Sequence, residues 1–308
     1  MSHIPPSYCS EDAIAEQRST KMILITGATG LVGSPLVDIL HTEGADVRAV
    51  SRDPSAARMP VGVEVVEGDP SRPGTLAAAM DGVTSLFLHP RAAGERAAEL
   101  VALARERGVR RVVAMAALNI DEPLADQPSR YRGDRNKEAE TAAVESGLEW
   151  VSLRPGTFSV SSLHAWGGQI QGGDVVRGPY AQFAESPVHE QDLAAVAARA
   201  LLGDDLVGRR LELTGPQSLT QEEMVAVIGD VIGRPLRYEE VPPEIAAKGM
   251  VQHGVPEPFV TALMDRYARD LGHPAPLTGE VGTILGRQAL TYRQWVSEHA
   301  AAFRRASN

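Results

Sequence analysis

Short apolar runs and stretches with helical spacing alternate along most of the chain. The apolar runs, which predict β-strands, lie at 22–26, 46–50, 63–67, 85–89, 109–116, 148–153 and 209–213. The segments that predict helices lie at 31–41, 76–80, 94–107, 134–146, 190–202 and 220–232. Strands that alternate with helices in this way are typical of βαβ units, in which helices cover both faces of a parallel sheet.

This order predicts an α/β protein with a Rossmann doubly wound parallel sheet and a smaller, mixed α/β C-terminal lobe. The expected parts are a polar N-terminal leader at 1–20, the Rossmann domain at 21–155 and the lobe at 156–308, from which 188–215 return to the Rossmann sheet. The lobe opens with a polar, glycine-rich stretch. Residues 242–273 are helical in pattern but interrupted by Pro and Gly, and we expect them beside the carboxyl ends of the strands.

Charge and composition narrow the functional classes. The 308 residues carry a formal net charge of −10, which argues against a general nucleic-acid surface. No run approaches the roughly 18 apolar residues that span a bilayer, and residues 1–20 lack the apolar core of a secretory signal. The single cysteine, Cys9, cannot form an internal disulfide. We therefore expect a cytoplasmic protein that binds neither nucleic acid nor membranes, and the sequence leaves its oligomeric state open.

A glycine-rich turn joins the first predicted strand to the first predicted helix. In TGATGLVG (26–33), Gly27 permits a tight turn, Gly30 lets the backbone approach a pyrophosphate, and Gly33 lets the helix pack closely on the sheet. The helix N-terminus then offers free N–H groups and the positive end of its dipole to the phosphates. A purely structural turn is the alternative, but the strand–turn–helix context favours a dinucleotide site.

The end of the second strand distinguishes the two nicotinamide cofactors. A carboxylate there binds the ribose 2′-hydroxyl of NAD, whereas an arginine accommodates the 2′-phosphate of NADP. This chain has Ser51-Arg52-Asp53, with Arg58 nearby. Because the guanidinium can donate two hydrogen bonds to one phosphate, Arg52 favours NADP. The alternative is that Arg52 is a solvated surface residue and Asp53 is the ribose ligand.

Two further strand ends lie at the expected cofactor edge. Asp69, which follows the third strand, either accepts a hydrogen bond from the adenine amine or caps the next turn. His89 follows the fourth strand, and we expect it to line the cofactor site through its backbone rather than to act as an acid or base.

The chain resembles the atypical short-chain dehydrogenase/reductase superfamily and, within it, the NmrA-like branch. The resemblance covers about residues 22–300. It rests on TGATGLVG, SRDP (51–54), EGD (67–69), NKEAETAAVESGLEWVSLRPGTF (136–158), VHEQDLAAVA (188–197) and LTGPQSLTQEEMVAVIGDVIGRPLRYEEV (213–241). The first motif is common to the extended superfamily, and the later ones are more specific to this branch.

The resemblance implies a bound NADP(H) and the residues that hold it. The residues that match the pyrophosphate loop are Gly27, Thr29, Gly30, Leu31 and Val32. Arg52 matches the 2′-phosphate contact, and the loop beside the nicotinamide is matched by Pro155, Gly156, Thr157 and Phe158. Ala116, near the end of the fifth strand, is a further expected cofactor contact. His189 and Asp192 match a pattern that ties a lobe helix to the sheet.

The catalytic residues of this superfamily are only partly present. The usual Tyr-x-x-x-Lys pair shares one helix face, but here Tyr131 has Arg135 at that offset and Lys137 lies six residues on. Ala116 and its neighbours also replace the usual serine of the fifth strand. Reductase relatives use a lysine near the start of this helix, which matches Asn136-Lys137 to within one position. Lys137 is therefore a catalytic or ribose-binding candidate, with a solvated lysine as the alternative, and Tyr131 is a weaker one.

Substrate and metal sites are less marked. Aromatic and polar-tipped side chains of the lobe suit either a flat substrate or an ordinary core, and they are Phe158, His164, Trp166, Tyr180 and Phe183. His189, Glu190 and Asp192 do not have the spacing of facing metal ligands, so we expect no metal.

Two functions fit this pattern. The first is an NADPH-dependent reductase that delivers hydride to a small carbonyl, quinone or conjugated compound. The second is a non-catalytic NADP(H)-sensing regulator that binds a partner protein, which the missing Tyr-x-x-x-Lys pair would permit. The sequence favours the reductase, an oxidoreductase with a small-molecule substrate.

Overall fold

A computed structural model of the chain describes residues 21–304, so the predicted leader at 1–20 lies outside the described residues. The strands within this range are β1 (Met22–Ile25), β2 (Asp46–Ser51), β3 (Glu64–Glu67), β4 (Val83–Leu88), β5 (Arg111–Met115), β6 (Glu149–Pro155), β7 (Val175–Gly178), β8 (Ala184–Glu185), β9 (Arg210–Leu213), β10 (Leu219–Thr220) and β11 (Arg237–Glu240). The helices are α1 (Gly33–Thr42), α2 (Pro90–Ala93), α3 (Ala97–Glu106), α4 (Asn136–Val144), α5 (Ser161–Gly172), α6 (Glu190–Leu202), α7 (Gln221–Ile232), α8 (Pro243–Gln252), α9 (Glu257–Asp270), α10 (Glu280–Leu285), α11 (Tyr292–Glu298) and α12 (Ala300–Phe303).

Seven strands form one parallel sheet in the order β3-β2-β1-β4-β5-β6-β9. The order runs outward in both directions from β1 and β4, which makes the sheet doubly wound, with its switch point between these two strands. The predicted α/β class with a Rossmann sheet is therefore confirmed.

The central strands β1, β4 and β5 are buried on both faces because most of their side chains are apolar. Alternate side chains such as Ile25 and Val113 pack against α1 and α6 on one face. Their neighbours Leu24 and Val112 pack against α3 and α4 on the other. Full burial of one such side chain stabilises the fold by about 1.5–3 kcal/mol, so this two-sided core holds the strand ends in fixed register.

The lobe has its own core and two small sheets. β7 pairs with β11 in parallel, and β8 pairs with β10 antiparallel. In the lobe, α5, α7, α11 and α12 bury a cluster that includes Trp166, Tyr238, Tyr292, Trp295 and Phe303.

The lobe reaches the carboxyl edge of the main sheet through α9. This helix packs against two 3-10 segments, Leu124–Asp126 and Pro128–Arg132, that follow β5. The α9 part of the segment 242–273 thus lies beside the loop that follows β5, and the placement of the whole segment stays a prediction.

One local expectation from the sequence is wrong. Residues 76–80 do not form an α-helix but belong to two 3-10 turns, Pro73–Leu76 and Ala78–Met80, because so short a segment between breakers cannot repay helix nucleation. The predicted helix 94–107 is present as α3, with a 3-10 turn, Gly94–Arg96, in place of its first turn. The polar, glycine-rich stretch 156–187 contains α5, β7 and β8, for which the sequence made no prediction.

Within residues 21–304, no helix combines the length and the apolar character that crossing a membrane requires.

Candidate functional site

The strand register brings the predicted cofactor residues to one edge of the sheet. Ile25 of β1 lies opposite Ala49 of β2 and Phe87 of β4, so the residues that follow these three strands lie side by side. The same register continues through β5 to β6, where Met115 lies opposite Leu153. Carboxyl ends at a switch point are where doubly wound sheets bind their ligands.

The glycine turn after β1 is held in a conformation that needs its glycines. Gly27 has φ +68°, and a Cβ added to it would lie 2.9 Å from Cγ of His89. A Cβ on Gly33 would lie 2.1 Å from the Gly27 carbonyl oxygen. Both positions therefore exclude a side chain, as the sequence predicts for a turn that approaches a ligand and a helix that packs closely.

The N-terminus of α1 has donors but no protein acceptor for them. Val32 precedes the helix and makes no side-chain cap, and the first turn contains no acidic residue. Within the described part of the chain, the backbone N–H groups of Leu31, Val32 and Gly33 donate to no acceptor. Thr29 and Leu31 are exposed beside them. Free amides and the positive end of a helix dipole are the donor set that a pyrophosphate requires, so these residues fit the expected cofactor.

Arg52 and Asp53, which follow β2, differ in the hydrogen bonds that their side chains already make within the protein. The Asp53 carboxylate accepts from the Ser55 hydroxyl at 2.6 Å and from the backbone of Ser55 and Ala56 at 3.1 and 3.3 Å. The hydrogen bond from the Ser55 side chain is the main reason that the pKa of Asp53 is lowered. Arg52 is exposed, and no described residue forms a hydrogen bond or ion pair with it. The guanidinium is thus available to a ligand, whereas the carboxylate already caps its own turn.

Asp69, after β3, also caps a turn. It accepts from the Ser71 hydroxyl at 2.7 Å and from Nε of Arg72 at 3.0 Å, and these bonds, that from Ser71 first, lower its pKa. The capping role that the sequence left open is therefore present. A contact with adenine stays a prediction.

His89, after β4, connects the turn to the next strand. Its backbone N–H donates to Oγ1 of Thr26 at 2.8 Å, and its Nδ1 accepts from the N–H of Arg91 at 3.2 Å. Burial, opposed by Asp134 and assisted by Arg91, lowers the pKa of His89 to about 4. A neutral ring that already caps α2 is suited to shaping the turn at Gly27 and not to proton transfer at neutral pH.

The loop after β6 is held by backbone pairing. Ala116 N–H donates to the Leu153 carbonyl at 2.7 Å, and Gly156 N–H donates to the Leu213 carbonyl at 2.9 Å. Phe158 forms an isolated parallel bridge with Val188. The residues Pro155 to Phe158 thus leave the sheet along a fixed path at the carboxyl edge, and their contact with a nicotinamide stays a prediction.

A buried ion pair anchors the end of β6. Arg154 and Glu140 of α4 are each more than nine-tenths buried, and they are joined at 2.6 Å. Burial opposes ionisation of Glu140, but hydrogen bonds from Arg154, Ser152 and Arg210 outweigh it and lower its pKa to about 2. The pair stays charged at neutral pH and fixes the strand end from which Pro155 departs.

The two catalytic candidates from the sequence have other partners. Nζ of Lys137 lies 3.5 Å from Asp121 and its side chain is about half exposed, in a cleft of about 360 Å³ shared with Glu140, Arg154 and Arg210. The phenol of Tyr131 donates to the Ala125 carbonyl at 3.2 Å. None of these partners belongs to the glycine turn, so the described contacts do not support the predicted catalytic roles.

α4 begins at Asn136, two residues later than the predicted helix 134–146. Asp134 does not cap this helix, because both of its carboxylate oxygens accept from Arg91 at 2.9 Å. Asn136, one position before Lys137, is the residue that turns inward, and it donates to Oγ of Ser129 at 3.1 Å.

The predicted substrate contacts separate into two groups. Trp166 and Phe183 are 6% and 1% exposed, so they belong to the lobe core and the structure does not support their contact with substrate. His164 is exposed on α5, and Tyr180 is half-buried. Tyr180 also has φ +50°, the only positive φ of a non-glycine residue among the described residues.

A group on α9 was missed by the sequence reasoning. Glu185 of β8 accepts from Oγ1 of Thr157 at 2.6 Å and pairs with Arg266 at 3.1 Å. Tyr267, the next residue, packs its ring on Phe183 with centroids 4.2 Å apart. No motif surrounds these residues in the sequence, and only the fold shows that α9 reaches the loop after β6.

His189 and Asp192 tie α6 to the C-terminal helices. His189 is 1% exposed, caps α6 through Nδ1 and places Nε2 3.3 Å from Glu298. Asp192 accepts from the N–H of Leu290 at 2.7 Å and pairs with Arg287. These partners join α6, which packs on the main sheet, to the C-terminal segments, and none of them belongs to the sheet itself.

Comparison with known proteins agrees with this geometry. A profile of the NAD(P)H-binding family matches residues 27–204, more than half of the chain. The chain belongs to this NAD(P)H-binding family. One relative is the (4-alkanoyl-5-oxo-2,5-dihydrofuran-3-yl)methyl phosphate reductase of Streptomyces griseus. The two sequences are 35% identical, and the alignment covers 92% of this chain and 99% of the relative. This chain is also 32% identical, over 92% and 99%, to the NAD(P)H azoreductase of Xenophilus azovorans.

Solved structures share the fold of this NAD(P)H-binding protein. The NADPH-dependent quinone oxidoreductase QOR2 of Escherichia coli aligns with a TM-score of 0.76 and 23% identity, over 90% of this chain and 99% of that one. QOR2 therefore shares the Rossmann fold of this chain, and the matching profile shows the NAD(P)H-binding family to which the chain belongs.

Proposed function

We propose that this protein is a cytoplasmic NADPH-dependent reductase that delivers hydride to a small carbonyl, quinone or related conjugated compound. One observation carries the proposal: free backbone amides at the start of α1 and the unengaged Arg52 occupy the same edge of the sheet. The first is a donor set for a pyrophosphate, and the second is a donor for an additional phosphate.

The relatives support the reaction class. Those at 35% and 32% identity are both named as reductases, and the chain covers nearly their whole length. Their names refer to a phosphorylated unsaturated lactone and to azo compounds, which are small conjugated acceptors of hydride. Fold alone does not determine chemistry, but these relatives share sequence as well as fold.

Each residue of the site then has a defined task. Bound NADPH supplies the hydride from C4 of its nicotinamide ring. The amides of Leu31, Val32 and Gly33 would bind the pyrophosphate, and Arg52 the 2′-phosphate. The loop Pro155–Phe158 would orient the nicotinamide, because its backbone is fixed by β9 and Val188. No described tyrosine–lysine pair donates a proton here, so we assign the proton of the product to water.

The test is NADPH oxidation with a panel of acceptors: menadione, an azo dye and an α,β-unsaturated lactone. We expect loss of NADPH absorbance with at least one of them. NADPH binding without oxidation of any acceptor would contradict the proposal and favour the cofactor sensor.

A further inference from the structure

The phenol of Tyr267 has no hydrogen-bond partner among the described residues, although its ring is half-buried. Two other phenols of the lobe are satisfied: Tyr238 donates to the Pro179 carbonyl at 2.8 Å, and Tyr292 contacts Oγ of Ser162 at 2.7 Å. A tyrosine with a buried body usually finds such a partner for its hydroxyl. The Tyr267 hydroxyl has no such partner among the described residues, so its hydrogen-bonding capacity remains for a ligand.

Packing holds the Tyr267 ring in one orientation. Phe183 lies behind it at 4.2 Å and 32°, and Tyr180 meets it edge-on at 6.2 Å and 84°. Tyr180 makes this contact from a left-handed backbone conformation that costs a side-chain-bearing residue free energy. Residues in strained backbone conformations are frequent at ligand-binding sites.

The same helix is bonded to the loop that follows β6. Glu185 joins Thr157 of that loop to Arg266 of α9, and the side chain of Glu185 is nine-tenths buried. Arg266 also lies over the Phe183 ring, 5.5 Å from its centroid. Tyr267 is therefore carried by a helix whose position relative to Thr157 is fixed.

We propose that the Tyr267 phenol donates a hydrogen bond to the acceptor oxygen of a quinone or conjugated carbonyl substrate, and so sets substrate position and preference. This inference rests on the proposed function, because it requires a substrate beside the loop Pro155–Phe158. Burial, and then the Glu185 carboxylate, raises the pKa of Tyr267. The phenol thus stays protonated at neutral pH and acts as a donor that keeps its proton.

The test compares wild type with Tyr267→Phe in the absence of turnover. Binding of menadione to the NADP⁺-loaded protein is measured by calorimetry, and 2-methylnaphthalene serves as the analogue without oxygen atoms. We expect Tyr267→Phe to weaken menadione binding about 3- to 10-fold, the effect of one hydrogen bond, and to leave 2-methylnaphthalene binding unchanged. The melting temperature should not change, because the hydroxyl has no protein partner.

Tyr292→Phe is the matched control. It removes a phenol hydroxyl that contacts Oγ of Ser162 within the lobe, so it should lower the melting temperature and leave menadione binding unchanged. If the protein oxidises NADPH with menadione but wild type and Tyr267→Phe bind menadione equally well, the role of Tyr267 is refuted and the proposed function stands. A wild-type protein that binds NADPH but oxidises it with no acceptor would instead overturn the proposed function.

Discussion

At the scale of single residues, the environment of each side chain decides between roles that the sequence leaves open. Arg52 and Asp53 are adjacent, but only the carboxylate has partners, so the guanidinium is the group left for a cofactor. Lys137 and Asn136 are likewise adjacent, and the structure turns the asparagine inward. Sequence spacing located both pairs but could not show which member of each was already engaged.

A substitution at Gly27 tests whether the glycine turn is needed for cofactor binding. Gly27→Ala should lower the free energy of unfolding by about 1–3 kcal/mol and abolish NADPH binding, since alanine at φ +68° is strained and its Cβ would strike His89. Gly44→Ala is the control, because Gly44 has φ +75° with open space around it. Chemical denaturation and cofactor titration check both variants. Equal losses in the two variants would mean that strain alone, and not the site, explains the effect.

At the scale of secondary structure, periodicity predicted the long elements and failed at short or polar ones. The seven strands of the main sheet were recognisable because parallel strands buried on both faces are continuous apolar runs. Residues 76–80 look helical by composition but are too short to form an α-helix. Helix α5 was missed because its glycines and polar residues mask the stripe around Trp166 and Ile170 that the lobe buries. Tyr267 could not be assigned to a site, since its neighbours come from distant segments.

The ion pair between Arg154 of β6 and Glu140 of α4 joins these two elements, and a substitution tests how much it stabilises the fold. Glu140→Gln should lower the free energy of unfolding by about 3 kcal/mol, because it leaves the Arg154 charge buried without its main counterion. Glu99→Gln removes one partner of the exposed Arg96–Glu99 pair and should cost less than about 1 kcal/mol. Urea denaturation measures both. Similar small losses would show that the buried pair adds little to this contact.

At the scale of the whole molecule, one sheet edge collects the ends of β1, β2, β3, β4, β5 and β6. The fold makes this edge a site because the strand order reverses there, and the lobe then packs α9 against the segments that follow β5. The order of elements along the chain was enough to predict the sheet and its cofactor edge. The position of the lobe depends on packing between distant segments, which no local pattern encodes.

The buried, neutral His89 makes stability depend on pH. Its pKa is about 4 in the folded protein, below the ordinary 6.5, so the unfolded chain takes up the proton first. The stabilisation is complete above about pH 6.5 and is lost as the pH falls toward 4. Between about pH 7 and pH 5, the free energy of unfolding of the wild type should fall by on the order of 1–2 kcal/mol more than that of His89→Asn. Asparagine is chosen because it can still cap α2. If urea denaturation gives the same dependence of the free energy of unfolding on pH for wild type and His89→Asn, His89 is not the source of the pH dependence.

Calorimetric titration with NADPH and NADH tests the central claim, that α1 binds the pyrophosphate and Arg52 the 2′-phosphate, most directly. The wild-type protein should bind NADPH at least about 10-fold more tightly than NADH, and Arg52→Ala should remove that difference while leaving NADH binding nearly unchanged. Absence of binding to both cofactors, equal or tighter binding of NADH by the wild type, or an Arg52→Ala variant that weakens both cofactors alike, would contradict it.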